Sequence, residues 1–154
     1  MRIEKLIGAE FCNRKKQIIV KYYSGKEVTI HYGGLGIEQN ISRIDVDKET
    51  KGKSLVIEFN DGSIDYLPYD QPLAIVKDPE YVLQAQIEVL IAHINDVLKQ
   101  KKISKKYLAE QLETSENQVH RLLNPSILNK NLMQLYKIVA LLGMDCEIAL
   151  KDVA

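Results

Sequence analysis

Residues 104–124 read SKKYLAEQLETSENQVHRLLN, and this stretch decides how the rest of the chain is interpreted. After Ser104, a residue type that favours the N-cap, apolar residues recur at helical spacing: Tyr107, Leu108, Ala109 and Leu112. Ser115 opens a second helix, and Gln118 three residues later completes a Ser-x-x-Gln capping box. Pro125 ends that helix because proline disfavours helical geometry in the residue before it. The pattern therefore predicts two short helices joined by a tight corner, as in a DNA-reading helix-turn-helix.

The spacing of this stretch resembles that of a known family. The positions that carry the resemblance are Leu108, Ala109, Leu112, Ser115, Val119 and Leu122. They are similar to the packing positions of the phage-repressor-like (Xre-type) helix-turn-helix family. The longer run 115–152 also looks like the C-terminal half of HicB-type antitoxins, through S-x-x-Q-V-x-R-L-L-N-P, L-x-x-L-x-x-x-x-x-L-L-G and C-E-I-A-L.

The corner between the two predicted helices departs from the family pattern. That family usually has glycine there, where the backbone is left-handed, and this chain has Glu113. A left-handed conformation costs a non-glycine residue about 1 kcal/mol. The sequence thus leaves open whether the corner is built in the family's way.

Composition limits the class of protein. The chain has 154 residues, of which 45% are apolar and 27% charged, which is typical of a globular protein. Lys and Arg total 21 and Asp and Glu total 21, so a nucleic-acid partner would need a local basic patch. There is no N-terminal apolar signal and no 18-residue apolar run, and the two cysteines show no metal-type spacing. We therefore expect a cytoplasmic protein that neither crosses a membrane nor is exported.

The first half of the chain has the alternation of β-strands. Four strands are predicted, at residues 17–23, 27–32, 54–59 and 64–67. The segments QIIVKYYSGKEVTI (17–30) and SLVIEFNDGSIDYL (54–67) align without gaps, with Gly25 over Gly62, an offset of 62 − 25 = 37 residues. We interpret them as a duplicated hairpin that builds one small antiparallel sheet in residues 1–78. Two ordinary hairpins that match by chance are the alternative.

A predicted helix begins the second half. Asp78 suits an N-cap and Pro79 the first helical position, and the apolar stripe that follows continues to about Gln100. A further helix is predicted between Asn131 and Gly143.

The segment after Gly143 alternates in character. Cys146, Ile148 and Leu150 are apolar, and the residues between them are not uniformly so, which indicates a short strand with one apolar side. Such a strand needs an edge to pair with, which favours a homodimer. The predicted fold class is therefore α+β: a small antiparallel β domain (1–78), then an all-helical repressor-like domain with a C-terminal strand (79–154).

Enzyme chemistry finds little support. The three histidines, His31, His93 and His120, lie far apart, and no nucleophile motif or phosphate-binding loop is present. We predict no catalytic residue, no metal and no cofactor.

Charge near the predicted helix-turn-helix favours nucleic acid. Predicted phosphate contacts are Lys101, Lys102, Ser104, Lys105, Lys106, Ser115 and Gln118, although Ser115 and Gln118 also serve the capping box. The family resemblance implies base contacts from the second helix, at Glu116, Asn117, His120 and Arg121. The alternative for the lysines is a solvated helix end, and the alternative for Arg121 is a surface charge paired with Glu116 or Asn117.

These features predict a sequence-specific transcription regulator that binds double-stranded DNA as a dimer on a palindromic operator. The resemblance to HicB-type proteins implies a bacterial origin and an alternative, a type II antitoxin whose β domain binds a toxin protein. The other alternative is a helix-turn-helix protein-interaction module that does not bind DNA, which the neutral net charge and Glu116 favour.

Overall fold

The computed structural model describes residues 4–153, which divide into two compact units, with the division of the chain between Val82 and Leu83. The first unit holds all six strands of the described chain. They are β1 (Leu6–Cys12), β2 (Gln17–Tyr22), β3 (Glu27–His31), β4 (Ile41–Val46), β5 (Ser54–Phe59) and β6 (Ile64–Pro68). Each strand pairs antiparallel with its sequence neighbour, which gives two three-stranded meanders, β1-β2-β3 and β4-β5-β6.

The two meanders have equivalent registers. Val20 pairs with Val28 in the first and Ile57 with Asp65 in the second, so both partners are displaced by 37 residues (57 − 20 and 65 − 28). Each first strand also has a bulge one residue after its start, between Leu6 and Gly8 in β1 and between Ile41 and Arg43 in β4. The equivalence noted in the sequence thus extends from the hairpin to a whole meander.

The inner faces of the meanders form the first hydrophobic core. Fully buried side chains from both meanders meet there, among them Ile18, Tyr22, Leu55 and Ile57. The Tyr22 hydroxyl donates a 2.6 Å hydrogen bond to the carbonyl oxygen of Tyr69, so this polar group is satisfied inside the core. Burial raises the pKa of Tyr22 well above its ordinary value, which keeps it neutral.

Two helices follow the strands, α1 (Asp70–Ile75) and α2 (Pro79–Gln100). Pro72 is accommodated because it lies in the first turn of α1, where the backbone N–H has no intrahelical partner. Asp78 precedes α2 as predicted, and its carboxylate accepts the N–H of Tyr81 at 3.1 Å and the Lys26 ammonium at 3.0 Å.

The charge on Asp78 is expected to stabilise the first unit at neutral pH. Burial alone would raise the pKa of Asp78, but the hydrogen bonds from Lys26 and Tyr81 outweigh it and hold the pKa below 3.8. Since the folded pKa lies below the unfolded one, this stability is present above about pH 4 and is lost as pH falls through the folded pKa. Asp78→Asn keeps a cap but removes the charge, and should cost about 1–2 kcal/mol at pH 7. Urea unfolding at pH 7 and pH 3 checks this: an equal loss at both would contradict it.

The second unit contains the rest of α2 and three shorter helices, α3 (Lys105–Gln111), α4 (Glu116–Leu122) and α5 (Leu132–Leu141). Its core is a single cluster whose fully buried centre is Ile91, Leu108, Val119 and Ile138. Asn131 caps α5 by accepting the N–H of Gln134 at 3.2 Å, as the sequence predicts.

The predicted fold class is wrong in two respects. The chain is α+β with strands first and helices after. Its strands form two sheets instead of the one expected in residues 1–78, because the strands of each meander pair only with one another. The strand expected at 146–150 is absent, because no strand edge of the described chain pairs with it. A single β domain followed by an all-helical domain with a terminal strand therefore does not describe this molecule.

Candidate nucleic-acid interface

Both helices of the predicted helix-turn-helix begin at the serines that the sequence indicates. Ser104 Oγ accepts the N–H of Tyr107 at 3.0 Å, and Ser115 Oγ accepts the N–H of Gln118 at 3.2 Å. The N-cap predictions for Ser104 and Ser115 are confirmed. Each serine hydroxyl still has its own proton to donate, and both side chains are exposed.

The corner between α3 and α4 is left-handed despite the glutamate. Glu113 has φ 53°, its N–H donates to Glu110 O at 3.3 Å, and the N–H of Thr114 donates to Ala109 O at 3.0 Å. These two bonds form a Schellman motif, in which glycine is the usual residue at the left-handed position. Glu113 thus adopts the left-handed backbone conformation that glycine usually provides at such a corner, and the backbone strain lies at Glu113 itself.

Relieving that strain should stabilise the second unit. Glu113→Gly removes the Cβ that disfavours the left-handed region, so we expect the free energy of unfolding to rise by about 1 kcal/mol. Thermal or urea unfolding followed by helical circular dichroism measures it. The matched control is Glu113→Ala, which retains a Cβ and should gain little; equal gains would mean that the glutamate's charge, not its backbone, is responsible.

The exposed side of α4 carries all four predicted base-contacting residues. Glu116, Asn117, His120 and Arg121 are exposed, whereas Val119 and Leu122 of the same helix are buried in the core. Glu116 and His120, and likewise Asn117 and Arg121, are four residues apart and so lie on a common face. Within its own unit, α4 therefore presents a polar flank outward.

A lysine at the start of α3 reaches this flank. Lys105 Nζ lies 3.3 Å from Nδ1 of His120. Because a lysine ammonium only donates, Nδ1 is the acceptor in this contact, and the tautomer that fits the contact has its ring proton on Nε2.

The remaining predicted phosphate-contacting lysines divide into two kinds. Lys102 and Lys106 are exposed, and Lys102 occupies a left-handed position (φ 55°) just after α2. Lys101 instead donates a 2.6 Å hydrogen bond to the carbonyl oxygen of Leu142 and so caps the C-terminal end of α5. The structure thus places Lys101 in a bond within the unit and leaves Lys102 and Lys106 open to solvent.

Comparison with known proteins gave no match. A scan against protein-family models found no matching family, and searches of the curated proteins and of the solved structures found no similar protein. Over residues 4–153, no helix combines the length and apolar character needed to cross a membrane. In the same range, no three His, Cys, Asp or Glu side chains gather as metal ligands would.

Lys130 is a basic residue beside α4 that the sequence analysis did not identify. Its ammonium donates to the carbonyl oxygens of Arg121 (2.7 Å) and Asn124 (2.6 Å), which lie at the C-terminal end of α4. Burial, and secondarily the positive charge of Arg121, lower the pKa of Lys130. A cation near a helix C-terminus is favourable, but five residues of loop separate Lys130 from Asn124, so the spacing in the sequence could not reveal the contact.

A polar cleft lies between α4 and the start of α5. It has a volume of about 290 Å³, and its lining includes Gln118, Arg121, Lys130, Asn131 and Gln134. Three glutamates of α3, the corner and α4 are also exposed: Glu110, Glu113 and Glu116. The interface is consequently a small basic area beside α4 with acidic neighbours, not a broad basic face.

Proposed function

We propose that the protein is a cytoplasmic transcription regulator that binds double-stranded DNA through α4. As a dimer, it would place two copies of α4 in successive major grooves of a palindromic operator, about 34 Å apart. This proposal concerns the second unit, residues 83–153, which contains the whole candidate interface.

The observation that carries the proposal is the contact between Lys105 and His120. It joins a predicted phosphate contact at the start of α3 to a predicted base contact on α4, at 3.3 Å. In a repressor-like complex, phosphate contacts position the recognition helix and base contacts supply specificity. The two kinds of contact must therefore lie close together on the protein. The left-handed corner at Glu113, which sets the turn between the two helices, supports the same reading.

The exposed residues of α4 suit different base edges. Asn117 can pair bidentately with adenine, and Arg121 with N7 and O6 of guanine. His120, with its proton on Nε2, can donate to a purine N7, guanine O6 or thymine O4. Glu116 can accept only from an amino group such as cytosine N4, and it repels phosphate, so it favours specificity over general affinity.

Selection from random DNA tests the proposal. The full chain should enrich a palindromic sequence at both low and physiological salt, with an affinity that falls as salt rises because bound counterions are released. Enrichment without a common sequence would indicate electrostatic binding alone. No retention of duplex at low salt would overturn the proposed function.

A second candidate function, the toxin-binding antitoxin, is favoured by the surface of β6. This strand lies at the edge of its sheet and exposes Ile64 (56%) and Tyr66 (58%). Exposed apolar residues on an edge strand suit a protein partner. Co-expression with the product of the adjacent gene should then relieve growth arrest, and Tyr66→Lys should abolish that relief without weakening DNA binding.

A further inference from the structure

An apolar groove in the second unit has the size of a small-molecule site. It lies between α2 and the end of α5, and its volume is about 550 Å³. Three segments line it: Val89 and Leu90 belong to α2, Val139 belongs to α5, and residues 144–146 follow α5. Sites that hold drug-sized ligands are concave, mostly apolar and typically about 300–1,000 Å³ in volume. The groove meets all three conditions.

The apolar side chains of the groove are of two kinds. Ile94 and Leu142 are buried in the helical core, so this part of the lining is held by packing. Val89 is 72% exposed and Met144 is 38% exposed, so apolar surface at the groove faces water. A ligand with an apolar body would cover that surface, which is favourable because apolar area is removed from water.

One carboxylate gives the groove its charge. Among the described residues that line it, Asp145 is the only acidic residue, and none is lysine or arginine. Asp145 Oδ1 accepts the N–H of Cys146 at 2.9 Å, and the residue is exposed. A carboxylate accepts several hydrogen bonds, so Asp145 retains capacity for a further donor. The groove is therefore complementary to a ligand with a positive charge and not to one with a negative charge.

We propose that the groove between α2 and the end of α5 binds a small organic ammonium ion. The apolar body of this ligand covers Val89 and Leu90, and its ammonium group donates a hydrogen bond to the Asp145 carboxylate. The inference goes beyond the proposed function and does not rest on it, because binding of this ligand needs neither DNA nor a second copy of the chain.

Three probes with the same naphthyl ring separate the effect of charge from that of apolar contact. They are naphthylethylamine, which is cationic at neutral pH, naphthylethanol, which is neutral, and naphthylacetate, which is anionic. Each is titrated into the isotope-labelled full chain at pH 7, and the amide chemical shifts are followed by NMR. The ammonium should bind about 3- to 10-fold more tightly than the alcohol, as expected of an exposed charge pair, and naphthylacetate should bind most weakly. The shifts should be largest for residues of the groove, such as Val89 and Asp145.

Asp145→Asn tests the role of the charge. Asparagine keeps a side-chain oxygen that can accept the N–H of Cys146, but it has no negative charge. The preference for the ammonium over the alcohol should therefore disappear, while the affinity for the alcohol stays the same. The matched control is Glu110→Gln, the same kind of change at an exposed residue of α3 outside the groove, which should leave all three affinities unchanged.

Val89→Lys tests the location. Lysine is a good helix former, and Val89 is an exposed residue of α2, so the fold should persist. The variant loses apolar surface and adds a like charge, and it should weaken ammonium binding by at least about 10-fold. Met133→Lys makes the same kind of change at a residue of α5 that is 67% exposed and lies outside the groove lining, and it should bind as the wild type does. Circular dichroism of every variant should match the wild type.

Four results would overturn the proposal. The first is the absence of saturating shifts with any probe up to about 10 mM, which exceeds the Kd expected of a ligand this small. The others are equal affinities for the ammonium and the alcohol, tighter binding of naphthylacetate than of the ammonium, and wild-type binding by Val89→Lys. A chain that binds the ammonium as expected but retains no duplex DNA would leave this inference standing and remove the proposed function.

Discussion

Replacing Leu108 with alanine is expected to destabilise the helical unit by about 2–5 kcal/mol, because the lost side chain leaves a cavity that the surrounding core fills only in part. Leu108 lies on α3 with no exposed surface and packs in the cluster that includes Val119 of α4. The effect should appear as a lower urea midpoint for the helical signal at 222 nm. Since the typical stability of a small domain is only about 5–15 kcal/mol, DNA binding should also fall at 37 °C.

Leu132→Ala provides the matched control for that prediction. The chemical change is identical, but Leu132 is the first residue of α5 and is 55% exposed. Its replacement should cost less than about 1 kcal/mol, since little surface is removed from the core. Similar losses for the two variants would mean that α3 does not pack in the core as described.

Arg121→Ala should lose about 1–3 kcal/mol of binding free energy on the selected operator, and the loss should depend on a single base pair. The reason is that a guanidinium bound to guanine makes two hydrogen bonds, so their removal weakens binding only to an operator that has guanine at that position. Binding to an operator already changed at that base pair should be nearly the same for wild type and variant. Fluorescence anisotropy with both operators measures the difference.

Lys106→Ala separates positioning from reading, because Lys106 is exposed, whereas Lys105 contacts His120, a predicted base contact. A phosphate contact carries no sequence information, so this variant should weaken binding to every duplex alike. Its slope of log affinity against log salt should be shallower by about 1. If both variants showed the same salt-dependent, sequence-independent loss, the assignment of Arg121 to base reading would be refuted.

Local signals account for the parts of the fold that were predicted correctly. Turn glycines at Gly25 and Gly62 have φ of 91° and 85°, and the two predicted hairpins that they close are both present. Capping residues such as Ser104 and Ser115 likewise act within three residues of their own position. These signals are short-range, so a single sequence contains them.

The missed elements are those whose pattern a distortion or a distant contact interrupts. The strands β1 and β4 were not recognised because each contains a bulge, after Leu6 and after Ile41, which breaks the two-residue alternation. The strand expected around Ile148 is absent for a different reason. The alternation is present in the sequence, but no strand of the described chain forms hydrogen bonds with this segment. Whether an alternating segment becomes a strand depends on its partner, which spacing does not specify.

The candidate interface shows the same limit. The exposed flank of α4 follows from helical periodicity and was predicted residue by residue. The bonds of Lys101 to Leu142 and of Lys130 to Arg121 span 41 and 9 residues and have no sequence signature. These two bonds hold the ammonium groups of Lys101 and Lys130 within the unit. Which lysines are engaged in this way follows from the fold and not from the sequence.

The two meanders also bear on how the first unit acquires its structure. Every ladder in them joins strands that are consecutive along the chain, so little chain entropy is lost in closing each one. Proteins dominated by such short-range contacts reach the native state faster than those whose strands pair across long intervals. We therefore expect the strand pairs within each repeat to form early in refolding, and the docking of the two repeats against each other to follow.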